Sequence, residues 1–84
     1  MAGGRFAGPV KRSITIAGHQ TSISLEPIFW TALEQCAAVR SLPLSALVAA
    51  IDARRIEQPD PPNLASALRS WLFENATENR SQQR

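Results

Sequence analysis

The chain has 84 residues, a net charge of +2 and one cysteine. That length makes one small domain, and its core is marginal alone because a chain of this size buries only roughly 60% of its unfolded surface. Cys36 has no second cysteine to pair with and no Cys/His cluster offers a structural metal site, so association is the expected source of extra stability.

Several classes drop out early. No apolar run approaches the roughly eighteen residues of a membrane span, so no membrane association is expected. Met1-Ala2-Gly3-Gly4-Arg5-Phe6 lacks the apolar core of a secretory signal, so a cytoplasmic location is expected. Asn75-Ala76-Thr77 and Asn79-Arg80-Ser81 match glycosylation sequons and are read as coincidence on the same ground. The sequence shows no glycine-rich phosphate loop, no metal-binding pair and no nucleophile beside a base. No enzymatic activity, cofactor or metal is therefore expected.

Charge is unevenly spread. Residues 1–24 hold Arg5, Lys11, Arg12 and His19 and no carboxylate. Residues 25–63 hold Glu26, Glu34, Asp52, Glu57 and Asp60 against Arg40, Arg54 and Arg55. An acid-free basic end on a near-neutral body attracts phosphate locally, and association doubles the patch. The plainer alternative is a solvated tail that happens to be basic.

In chain order, residues 1–10 are rich in Gly and Ala without a period and read as a flexible arm. Ser13-Ile14-Thr15-Ile16 alternates polar with β-branched apolar residues, and Thr21-Ser22-Ile23-Ser24-Leu25 resumes the alternation. The parity changes between the two, since Ile14 and Ile16 are even while Ile23 and Leu25 are odd. A straight strand would put those pairs on opposite faces, so a break, bulge or turn is expected near Gly18. Pairing of 13–16 with 21–25 in a local hairpin and pairing with a second chain both satisfy the strand's backbone groups.

Pro27 suits the first position of a helix, and Ile28, Phe29, Trp30, Leu33, Cys36 and Ala37 give it a broad apolar face closing near Arg40. Ser41-Leu42-Pro43 forms a turn. A second helix carries Leu44, Leu47, Val48 and Ile51 on one face and runs to about Arg55. Three prolines between Gln58 and Asn63 interrupt helical structure. Asn63 is a good N-cap for a third helix with a Leu64, Ala67, Leu68, Trp71 and Leu72 stripe. The expected organisation is an arm over 1–10, a domain over 11–75 and a disordered tail over 76–84. Cys36, Trp30 and Trp71 are expected to serve packing, and His19 to face solvent.

Three blocks carry a family resemblance: Lys11 to Pro27, Leu44-Ser45-Ala46-Leu47-Val48 followed by Ile51-Asp52, and Asn63 to Arg69. In order and at this spacing they resemble the ribbon-helix-helix superfamily, and within it a group of small bacterial ribbon-helix-helix domain proteins. The resemblance implies a mostly α fold with a short β-ribbon: an intertwined homodimer, here with an additional third helix, that lays two strands in the major groove of double-stranded DNA. Alternation then assigns the faces. Thr21, Ile23 and Leu25 turn into a dimer core with Phe29, Trp30, Leu33, Leu47, Val48 and Ile51. Gln20, Ser22 and Ser24 face the bases, where Gln suits adenine and the serines suit several bases.

Lys11, Arg12 and His19 are expected on the sugar-phosphate backbone. So are the amides of Leu44 and Ser45 at the second helix's amino end. Two departures weaken this attachment. Gln20 stands where relatives carry Arg or Lys, and Pro43 replaces a capping Ser, Thr or Asn. As plainer alternatives, the ribbon's serines and threonines are only good strand residues, and Pro43 is only a stop-and-start signal.

The function expected from the resemblance is a sequence-specific DNA-binding regulator, most simply a repressor. One rival is a protein-interaction module, such as an antitoxin or adaptor, that binds a partner through Leu64, Leu68, Trp71 and Leu72. For that stripe, packing on the protein's own dimer is the preferred role. Non-specific DNA binding is the other rival.

Overall fold

The structure, a computed structural model, describes residues 7–82. Of the arm expected over 1–10, residues 1–6 lie outside the described range, and Val10 already belongs to a strand. The elements are β1 (Val10–Ile16), β2 (His19–Leu25), α1 (Pro27–Val39), α2 (Leu44–Arg55) and α3 (Leu64–Gln82).

β1 and β2 form an antiparallel hairpin in register from Val10 opposite Leu25 to Ile16 opposite His19. Ala17 and Gly18, both at positive φ (51° and 83°), make the two-residue turn. Positive φ at both central positions gives a turn whose twist matches that of the strands. This turn resolves the parity change. Every even residue of β1 faces an odd residue of β2, so Ile14 and Ile16 share the inward face with Ile23 and Leu25. Of the two pairings open to residues 21–25, the local hairpin is formed, and β1 supplies the hydrogen-bond partner along one edge of that strand. β2 keeps one edge without a strand neighbour among the described residues.

Pro27 opens α1, whose end is a Schellman turn: Leu42 N–H bonds to Ala37 C=O at 2.9 Å and Ser41 N–H to Ala38 C=O at 3.0 Å. Ser41 occupies the left-handed position at φ 56°. α1 and α2 then meet at 100°. α2 begins directly after Pro43, which bears no side-chain cap. Asn63 caps α3 as expected, accepting from Ser66 N–H at 2.8 Å through Oδ1.

The core is closed within one chain. Ile14, Ile16, Ile23, Leu25, Trp30, Leu33, Ala37, Leu47, Val48, Ile51, Leu68 and Leu72 are buried together. β1 rests on α2, while α3 crosses α1, α2 and β2. Two elements add cover to this core within the chain: β1 and α3. Residues 76–82, expected as part of a disordered tail, continue α3 to Gln82. Ala, Glu, Arg and Gln are strong helix formers there, and Thr77 donates its hydroxyl proton to Phe73 C=O at 2.9 Å. No single helix among the described residues is long and apolar enough to cross a membrane.

Candidate nucleic-acid interface

The hairpin has two chemically distinct faces. Its inner face is apolar and packed on the helices. Its outer face carries Lys11, Ser13 and Thr15 from β1 and Gln20, Ser22 and Ser24 from β2, all exposed. The register sets them in three cross-strand pairs: Lys11 with Ser24, Ser13 with Ser22 and Thr15 with Gln20. Directly opposed side chains lie about 5 Å apart at Cβ, so the six form one continuous polar surface. Hydroxyls and a carboxamide donate or accept as a partner requires, the ammonium only donates, and no carboxylate is present.

Gln20, Ser22 and Ser24 thus share the exposed face that alternation assigned them. Ser13 and Thr15, in sequence only the polar positions of an alternating strand, stand beside them, because the hairpin register brings β1 onto the same surface. His19 is exposed where β2 begins, next to the turn, but stands opposite Ile16 on the side of the hairpin away from Gln20.

Arg12 faces the other way. Its guanidinium lies 3.2 Å from Glu34 Oε2 and stacks over the Trp30 ring at 4.7 Å. Trp30 in turn donates its indole N–H to Val10 C=O at 2.9 Å. Tryptophan is the best cation–π acceptor, and the ion pair adds orientation. Arg12 thus fastens β1 to α1, on the side opposite Gln20 and Ser22.

At the start of α2, Ala46 and Leu47 N–H both donate to Pro43 C=O, at 3.0 and 3.2 Å. The amides of Leu44 and Ser45 precede those bonds and belong to the helix's positive end. Both residues are half-buried.

The residues expected as a dimer core are buried already in the single chain. Leu25, Leu33 and Val48 are fully enclosed, and Ile23, Trp30, Leu47 and Ile51 are nearly so. Thr21 and Phe29 are partly buried. The third-helix stripe is also turned inward: Leu68 and Leu72 are core residues, with Leu64 and Trp71 packed against them. The stripe, for which packing was the preferred role and a partner surface the rival one, is thus taken up by the core of its own chain. α3 is held further by Arg40, which hydrogen-bonds Asn75 Oδ1 at 3.1 Å and lies over Trp71, and by Arg69, which pairs with Glu26 at 3.0 Å. The Glu26 carboxyl is held below the usual carboxylate range, first by a backbone hydrogen bond at Glu26 itself and then by the Arg69 guanidinium.

A hairpin with a polar, acid-free outer face, followed by two helices at a steep angle, defines a small β-ribbon and helix domain. The family model described as "Ribbon-helix-helix domain" matches residues 9–76, and the chain belongs to that family. Proteins of this family are generally DNA-binding transcription regulators. No curated protein and no solved structure matches the chain.

Proposed function

We propose that this protein is a dimeric, sequence-specific DNA-binding regulator of the bacterial cytoplasm, most simply a repressor that occludes a promoter. The observation that carries the proposal is the exposed, acid-free face of the hairpin around Gln20, Ser22 and Ser24. A two-fold axis beside the open edge of β2 pairs that strand antiparallel with its copy. Two sets of Gln20, Ser22 and Ser24 then lie together on a β2–β2 ribbon, the kind of element the major groove admits.

Gln20 suits bidentate recognition of adenine, and Ser22 and Ser24 adjust their hydroxyls to several bases. Lys11, His19 and the amides of Leu44 and Ser45 serve the phosphates, fixing register. Arg12 acts indirectly, by holding β1 on α1.

Selection of bound sequences from random duplexes at fixed salt tests this proposal, with the protein's mass measured in the same buffer. A dimer enriching repeated half-sites is expected. Gln20→Ala is then expected to lose about 1–3 kcal/mol of discrimination at one base position per half-site. Equal affinity for selected and random duplexes makes the protein a non-specific binder, and a monomer on DNA removes the proposed ribbon.

A further inference from the structure

The hairpin has a consequence for width. If β2 pairs with its copy, β1 cannot be left out of the sheet, because it already occupies the other edge of β2. The dimer's sheet then runs β1, β2, β2, β1. Neighbouring strands lie about 4.8 Å apart, so the axes of the outer strands stand roughly 14 Å apart before side chains are added. The major groove is only about 12 Å wide. The central pair enters the groove, and the two β1 strands lie over its walls, where the sugar-phosphate backbones run.

Resting on the DNA reading above, we propose that the outer face of β1, with Lys11, Ser13 and Thr15, is a phosphate clamp flanking the reading strands. Its chemistry suits that place. An ammonium and two hydroxyls, all exposed and on one side of the strand, are donors for phosphate oxygens. No acid shares the face to repel a phosphate. The clamp also makes good two weaknesses elsewhere, since Arg12 is tied inward to Glu34 and Trp30, and Pro43 gives α2 no capping side chain. In this arrangement β1 positions the protein and β2 specifies the sequence.

The test compares affinity for the selected duplex and for a scrambled duplex of equal length, across a salt series. The proteins are the full chain, Ser13→Ala with Thr15→Val, Ser13→Thr with Thr15→Ser, Lys11→Ala and Gln20→Ala. Valine keeps the β-branched shape of Thr15, and thermal unfolding confirms that each variant is folded. Each lost hydroxyl–phosphate bond weakens binding by roughly twofold or more. With four such bonds in a dimer, the hydroxyl-free double variant loses about fifteenfold on both duplexes alike. Its salt slope stays unchanged because neutral groups release no counterions. Lys11→Ala flattens the slope by about two, one phosphate per protomer. The hydroxyl-keeping swap retains binding.

A loss confined to the selected duplex puts β1 inside the groove and overturns the clamp. Unchanged affinity of the hydroxyl-free variant on both duplexes overturns it too, while loss of sequence preference in Gln20→Ala would leave the DNA reading standing. Failure of the unaltered chain to bind either duplex sinks both.

Discussion

Replacing Leu68 with alanine separates a helix that completes the core from one held ready for a partner. Leu68 is completely enclosed between α3 and the rest of the domain. Truncating a buried leucine removes its transfer free energy and leaves a cavity, a loss of about 3 kcal/mol. A chain of this length carries only about 4–12 kcal/mol in total. With a slope of about 1 kcal/mol per molar urea for a small domain, the unfolding midpoint falls by about 3 M. The matched control is Phe73→Ala, five residues along the same helix, where the side chain is 73% exposed and the expected change is within about 0.5 kcal/mol. Both are read by tryptophan fluorescence, since Trp30 and Trp71 report on the core, at one fixed protomer concentration. A loss below about 1 kcal/mol for Leu68→Ala would refute the placement of α3 in the core.

Two further outcomes follow from the backbone and from Glu26. Ser41 and Ala17 sit at positive φ (56° and 51°) with a side chain attached. Ser41→Gly and Ala17→Asn should each raise stability by about 0.5–1 kcal/mol, read as a rise of a few degrees in Tm. The pH dependence has a definite sign. A carboxyl whose folded pKa lies below its unfolded value contributes stability above the unfolded value, lost as pH falls through the folded one. Stability of the unaltered chain should therefore fall on acidification below about pH 4.5, and Glu26→Gln should make that limb shallower. Identical acid limbs in urea titrations would count against the Glu26–Arg69 pair.

The elements with strong local signals were legible in the sequence. Alternation marked both strands, Pro27 and Arg40 bracketed α1, Leu44 to Arg55 gave α2, and Asn63 announced α3. What escaped was decided by atoms far apart in the chain or by unusual residues at special positions. The hairpin turn uses Ala17 where Asn, Asp or Gly is the usual signal, so two alternating segments were visible without the register that joins them. Ser41 likewise hides a left-handed cap that glycine normally advertises. The end of α3 looked like a tail because apolar residues stop at Ala76, yet an exposed helix needs only good helix formers and a well-anchored start.

Site assignments divide the same way. The outward set Gln20, Ser22 and Ser24 follows from a period of two and needs no tertiary information. Arg12, expected on the sugar-phosphate backbone because basic residues cluster near it, lies against Glu34 and Trp30. Its neighbours Glu34 and Trp30 come from a helix that the sequence alone does not bring alongside. Ser13 and Thr15 are the reverse case: ordinary strand residues that a cross-strand register turns into part of the surface.

The most direct measurement places a charge at the middle of that surface. Ser22 lies opposite Ser13, exposed and remote from the core, so Ser22→Glu should leave the urea midpoint and the circular dichroism unchanged. In a dimer it sets two carboxylates against the duplex, and affinity for the selected and the scrambled sequence alike should fall beyond detection in a low-salt titration. A folded Ser22→Glu protein that still binds the selected duplex as tightly as the unaltered chain would contradict the assignment of this hairpin face to DNA.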